Sequence, residues 1–325
     1  PTLKILLVAL IISAIGIGNA AYESGNLTGA AIGLNAFANL GTGTWAFILG
    51  ICAALLLWTG RYQWIESVLV ALVFIMAGVF FITFIVAKPD VVAMASQLLT
   101  PRLDSDVITT VLALIGTTIV PYNLFLHASL VAKSSAGLDK DQAVKRCRRQ
   151  SAQAISVGGL ITLIVMATAM MAFFNHAITM DAANMSEQLK PVLGDKAQWF
   201  FALGLFAAGL TSAITAPLAA AYAVCGALGI SDNMKGKAFR AVWLIIILVG
   251  VSVAMMGFNP LPAILFAQAT NGLLLPIIAL FLLMVMNNKE ALGEYRNSTL
   301  SNIAGGCVVA TVIGLGSYKV LGLFF

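Results

Sequence analysis

Long apolar stretches recur along the chain and constrain its fold more than any other feature. About 20 mainly apolar residues cross a bilayer as one helix, and roughly nine stretches meet that requirement by the same rule. They are 3–22, 44–59, 65–87, 107–131, 153–175, 197–229, 241–257, 262–287 and 300–325. Only 10% of the residues are charged, too few to cover a water-soluble protein of this size. The pattern predicts an all-α integral membrane protein, with the first span continuing as a helical or irregular tail through Gly29–Leu34.

Basic residues between these stretches are unevenly distributed, which predicts the orientation. One side carries Lys4, Arg61, Lys133, Lys140, Lys145, Arg146, Arg148, Arg149, Lys235, Lys237, Arg240, Lys289 and Arg296. The other carries Lys88, Arg102, Lys190, Lys196 and Lys319. The richer side is expected to be cytoplasmic, so the net charge of +5 indicates a lipid bilayer rather than a nucleic-acid partner. The basic loop 145–149 is either an ordinary cytoplasmic loop or a lipid-binding patch.

Motifs of catalysis are missing from the sequence. It contains no G-x-x-x-x-G-K-[ST] nucleotide loop, no G-x-S-x-G elbow and no H-E-x-x-H metal motif. Its two histidines and its cysteines without a C-x-x-C pair exclude a histidine-rich or zinc-finger-like site. We therefore predict no enzyme activity, no catalytic residues and no cofactor.

A proline in the middle of an apolar stretch marks the strongest candidate site. Pro121 lacks an N–H, and its ring conflicts with the carbonyl of Thr117, four residues back. Transporters build ion sites from such broken helices, in which freed carbonyl oxygens bind cations. A simple proline kink is the alternative. The surrounding residues that favour a site are Gly116, Thr118, Tyr122, Asn123 and His127.

Two further stretches place polar groups within apolar sequence. Glu23 closes the first span beside Tyr22 and Asn26. It is either a buried proton acceptor, since burial disfavours a charged carboxylate, or a hydrated residue at the interface. Gln268 and Asn271 place neutral side-chain oxygens, which can bind a cation, within the stretch 262–287. Hydrogen bonding between helices is the alternative role for them.

The proline-broken segment, the Glu23 span ending in Gly29–Asn35 and the later Gly209–Ser212 together resemble the natural resistance-associated macrophage protein family. Members are proton-coupled divalent metal transporters with the leucine-transporter fold. The resemblance implies one transmembrane domain over 1–325. Within it, 1–87 is the remainder of the first inverted repeat, 107–287 is the second repeat and 300–325 is an additional helix.

The resemblance also implies roles for individual residues. Thr117 takes the place of a family member's metal-binding carbonyl, and Gln268 matches a glutamine of the tenth helix. Val120 replaces the family's methionine ligand. The resulting all-oxygen site suits manganese or magnesium better than soft ions. Glu23 and His127 become the candidate proton carriers. Substitutions at two other positions, Tyr122 for a histidine and Asn26 for a glutamate, remove titratable groups, so proton coupling stays open.

Family members have eleven or more spans, and the first carries a D-P-G-N metal motif that this chain lacks. We expect an N-terminally incomplete eleven-helix protein, whose first two helices are absent here. The expected function is transport of manganese, iron or magnesium into the cytoplasm across a bacterial plasma (inner) membrane. The alternative is an ion-coupled carrier of a small organic solute such as an amino acid. A membrane enzyme or scaffold is disfavoured by the missing motifs.

Overall fold

The computed structural model describes residues 2–59, 63–99, 110–111, 114–115, 121–135, 137–173, 184–231, 233–257 and 275–321. These residues are helical or lie in short connections, and none of them forms a strand. The longer helices are α1 (Thr2–Asn35), α2 (Thr42–Thr59), α3 (Gln63–Ala87), α4 (Val91–Leu99), α5 (Pro121–Ser134), α6 (Lys140–Ala172), α7 (Ala197–Leu228), α8 (Lys237–Met255), α9 (Leu275–Met286) and α10 (Thr299–Leu321). Short helical turns at Met185–Leu189, Lys190–Leu193 and Gly194–Lys196 lead into α7.

Several of these elements have the length and composition of membrane spans. The qualifying segments are Thr42–Thr59, Ser67–Ala87, Lys140–Ala172, Met185–Leu228 and Lys237–Met255. A pair bent by 60°, Leu275–Met286 with Lys289–Tyr295, adds a sixth if it counts as one span. Much of 107–131 and 262–287 lies outside the described residues, so the total of nine spans stays a prediction. The described helices are those of a multi-pass integral membrane protein.

Helix α1 continues well beyond the first predicted span. It runs unbroken to Asn35, so the tail through Gly29–Leu34 is regular helix. Leu27, Ala30 and Ala31 in this part are completely buried. The continuation is therefore a packed part of the protein.

Helix α6 begins earlier than the sequence indicated. The predicted basic loop 145–149 is wrong, because these residues lie within α6, which starts at Lys140. The side chain of Asp139 caps the helix by accepting a hydrogen bond from the Asp141 N–H at 3.2 Å. That cap places the start of the helix before the basic residues, and the 33-residue helix is longer than the roughly 20 residues one span requires.

Small residues let α1 and α7 approach closely. Apolar side chains gain little from leaving lipid for a helix interface, so close van der Waals packing must hold membrane helices together. A Cβ atom on Gly209 would lie 2.6 Å from the Ala30 nitrogen and 2.7 Å from the Asn26 oxygen. One on Gly33 would meet the backbone of Ala202 and Phe206. The two backbones are thus in contact, and only glycine fits between them.

Candidate functional site

Glu23 lies inside the protein. Its exposed fraction is 0%, and neither carboxylate oxygen has a hydrogen-bond partner among the described residues. Helix α8 covers it: a Cβ atom on Gly250 would lie 2.5 Å from Glu23 Cγ and 2.8 Å from Glu23 Cβ. The structure therefore favours the buried carboxylate over the hydrated interface residue.

Two asparagines of α1, Asn19 and Asn26, lie on either side of Glu23 in the helix and add further polar groups. Asn19 is 1% exposed and donates a 2.8 Å hydrogen bond to the Ile15 carbonyl, while its own Oδ1 is unpaired among the described residues. Asn26 lies beside the Glu23 carboxyl group, and its Nδ2 is likewise unpaired there. Buried polar groups are almost always paired, and ionisable ones within a membrane usually mark an ion or proton path. This cluster, Asn19, Glu23 and Asn26, has the chemistry to bind a proton or a cation.

Helix α5 brings the proline segment next to α1 and α7. It begins at Pro121, the first helical position, where a missing N–H costs nothing. Leu126 packs against a buried cluster that contains Tyr22 of α1 and Ala216, Ala219 and Ala220 of α7. The chain following Pro121 thus lies beside the helix that carries Glu23.

The two predicted metal ligands, Thr117 and Gln268, lie outside the described residues. So do four residues of the predicted broken-helix site, namely Gly116, Thr118, Val120 and Asn271. Of Pro121, Tyr122 and Asn123 only the backbone is described. Among the described residues, no three His, Cys, Asp or Glu side chains are grouped so that they could hold a metal ion. The ligand assignment therefore stays a prediction.

His127 occupies a different environment from Glu23. It is exposed, and its Nε2 lies 3.2 Å from Ser151 Oγ and 3.8 Å from Cys147 Sγ, both on α6. Its described polar contacts are with α6, whereas Glu23 is covered by α8. The described structure does not bring the two predicted proton carriers into one site.

A second intramembrane proline was overlooked in the sequence. Pro217 lies inside α7, so the carbonyl of Ala213, four residues back, cannot receive the usual helical hydrogen bond. In the two turns before it, Thr215 donates to the Thr211 carbonyl at 3.0 Å, and Thr211 donates to the Ala207 carbonyl at 2.6 Å. The signal was available, because it is the same one that drew attention to Pro121. No comparable signal in the sequence indicated Gly250, because its role depends on the close approach of α8 to Glu23 on α1.

Comparisons with known proteins place the chain in a family. The divalent metal cation transporter MntH of Yersinia enterocolitica is 27% identical over 303 residues, which cover 91% of this chain and 72% of that protein. The protein of the same name from Klebsiella pneumoniae is 26% identical over 299 residues, covering 90% and 71%. A crystal structure of a manganese transporter from Eremococcus coleocola superposes with a TM-score of 0.67 at 20% identity, covering 98% of this chain and 73% of that one.

The structural likeness confirms the predicted transporter fold. The family model described as natural resistance-associated macrophage protein-like matches residues 1–322. Because that match spans almost the entire chain, the chain belongs to the natural resistance-associated macrophage protein family.

Proposed function

We propose that this protein transports divalent metal ions across a membrane into the cytoplasm. The observation that carries the proposal is the family match over residues 1–322. The similar proteins from Yersinia and Klebsiella are named divalent metal cation transporters, which favours a metal over a small organic solute and a transporter over an enzyme. Those relatives are bacterial, so the bilayer we propose is a bacterial plasma (inner) membrane.

The proposed site uses oxygen ligands. We assign the Thr117 carbonyl and the Gln268 amide oxygen to the ion, with the chain around Pro121 and Asn271 completing the walls. Carbonyl and amide oxygens suit manganese and magnesium, whereas thioether sulfur favours softer ions. Val120 offers no sulfur where the family has methionine.

Uptake by the intact protein in proteoliposomes tests the function. We expect inward flux of Mn²⁺, Fe²⁺ or Mg²⁺ above that of empty vesicles, reported by a metal-sensitive dye inside. Substituting Gln268→Ala should reduce this flux, because it removes a proposed ligand. Gln198→Ala, which changes a glutamine in the first turn of α7, is the matched control and should transport normally. Uptake of an amino acid with no metal flux would refute the proposal.

Cadmium binding tests the oxygen-ligand site. Without a sulfur ligand, the unmodified protein should bind Cd²⁺ weakly, and Val120→Met should tighten binding by about tenfold, or roughly 1.4 kcal/mol. Isothermal titration calorimetry on the intact protein measures both. Val92→Met adds a methionine at an exposed position and should change nothing. Tight cadmium binding that Val120→Met leaves unaltered would contradict the assignment.

We also propose that protons accompany the metal and that Glu23 carries them. The support is its burial without a described hydrogen-bond partner. His127, exposed beside Ser151, is proposed as a second, separate proton-exchanging group near the cytoplasm. Neither role depends on direct contact between the two residues.

A further inference from the structure

A surface groove runs between the candidate membrane spans α2 and α8. Its volume is about 270 Å³, and its lining is apolar. Large, exposed side chains of α2 form one wall at helical spacing, namely Phe47, Ile51, Leu55 and Trp58. Leu244 and Leu248 of α8 form the other.

Small residues make the floor of this groove. Gly50 of α2 packs against Val251 and Ile247 of α8, and Ala54 lies one turn further along. The large side chains of the two walls therefore extend outward from a close contact between the helices, and the groove lies between them. From Phe47 to Trp58 the groove is about 16 Å long, given the rise per residue of an α-helix. This is close to half of the roughly 30 Å thickness of the hydrocarbon core. Its length matches one leaflet.

A fixed positive charge stands at one end of the groove. The Arg240 guanidinium lies 4.1 Å from the centroid of the Trp58 ring, and its Nη2 donates to the Trp58 carbonyl at 3.4 Å. Trp58 in turn packs edge-on against Trp243, with ring centroids 6.3 Å apart. The arginine is thereby held at the groove rather than free in solvent.

The charge of Arg240 is not neutralised by the described part of the protein. Among the described residues no carboxylate pairs with it, and its buried Nε has no partner there. Lys237, exposed one turn earlier on α8, adds a second cation. By the distribution of basic residues this end faces the cytoplasm, and basic pockets between helices on that side bind anionic lipid head groups.

We propose that the groove binds an anionic phospholipid of the cytoplasmic leaflet. One acyl chain lies between α2 and α8, and the phosphate accepts hydrogen bonds from Arg240 and attracts Lys237. An acyl chain matches the apolar walls and their one-leaflet length, while the unneutralised arginine selects a head group with net negative charge. The site is separate from the Glu23 cluster and does not depend on which ion is transported.

Native mass spectrometry of the intact protein in detergent tests the site. The probe is an equimolar mixture of phosphatidylglycerol and phosphatidylcholine with matched acyl chains but distinguishable masses. We expect the anionic lipid to be retained about tenfold over the zwitterionic one. Both lipids carry a phosphate that Arg240 can bind, but the choline ammonium of phosphatidylcholine offsets the attraction to Arg240 and Lys237. Arg240→Gln should remove most of that preference, because only the exposed Lys237 would remain near the phosphate. Arg296→Gln, which removes an exposed charge from the connection between α9 and α10, is the matched control and should preserve it.

A second variant separates the acyl chain from the head group. Ala54→Leu fills the floor of the groove and should reduce retention of both lipids, leaving their ratio unchanged. Millimolar glycerol phosphate, which has the head group without the chains, should not displace bound phosphatidylglycerol. Equal retention of the two lipids by the unmodified protein, or an undiminished preference in Arg240→Gln, would overturn the proposal. So would unaltered lipid retention in Ala54→Leu.

Discussion

Replacing Gly209 with alanine should destabilise the protein by about 1–3 kcal/mol, the usual cost of overpacking a tight interface. The new methyl group would lie 2.6 Å from the Ala30 nitrogen and 2.7 Å from the Asn26 oxygen. Both obstacles are backbone atoms of a helix, so no side-chain rotation can relieve the conflict. Helices α1 and α7 would have to separate along their length. Thermal unfolding in detergent, followed by circular dichroism, measures the loss.

The same helix supplies the control for this variant. An added Cβ on Gly226 meets nothing within 4 Å, so Gly226→Ala should be neutral or stabilise α7 by roughly 0.5–1 kcal/mol through helix propensity. Both variants replace a glycine of α7 with alanine. They differ only in the space available around the added methyl group. Equal melting temperatures for the two variants would show that the backbones of α1 and α7 are not in contact at Gly209.

Substituting Glu23→Gln should eliminate proton influx during metal uptake while the protein still folds. Glutamine nearly matches glutamate in shape and remains neutral, so it should fit against Gly250, but it cannot carry a proton. A pH-sensitive dye inside metal-transporting vesicles should then respond no more than in empty ones. An inward proton gradient should also cease to accelerate metal uptake, leaving only flux down the metal gradient.

Glu187→Gln controls for the loss of a carboxylate in general. Glu187 is exposed and forms a 2.6 Å ion pair with Lys190 outside the Glu23 cluster. Surface ion pairs contribute little, so this variant should keep both metal and proton flux. If Glu23→Gln acidifies the vesicles as fast as the unmodified protein, Glu23 is not the proton carrier. A flat dye signal in the unmodified protein during confirmed metal entry would instead indicate uniport.

The length of the apolar stretches was sufficient to predict the spans whose ends coincide with a change in composition. The predicted stretches 44–59, 65–87 and 197–229 end within two or three residues of α2, α3 and α7. Helix α6 was misjudged because charge does not by itself end a helix. The start is set by the Asp139 cap, a local hydrogen bond that hydropathy does not register.

The candidate site was only partly accessible from the sequence. Glu23 could be identified as an unusual carboxylate, but whether it was hydrated or buried depended on α8, more than 200 residues further along the chain. Gly250 gave no warning, because a glycine in an apolar helix has many roles. Thr117 and Gln268 were assigned through resemblance to a family, and their geometry lies outside the described residues. Which helices far apart in the chain come close together in space cannot be deduced from the pattern of residues along the sequence.

The close contacts around α1 also determine which parts of the protein move together. Gly209 meets the backbone of α1 near Asn26, Gly33 meets that of α7 at Ala202, and Gly250 abuts Glu23. Because so little space separates them, we expect these three helices to move together. Transporters of this architecture expose their cargo alternately by rocking one group of helices against another. We therefore expect Glu23 to move together with α7 and α8 during transport, with the hinge at the boundary of this three-helix group.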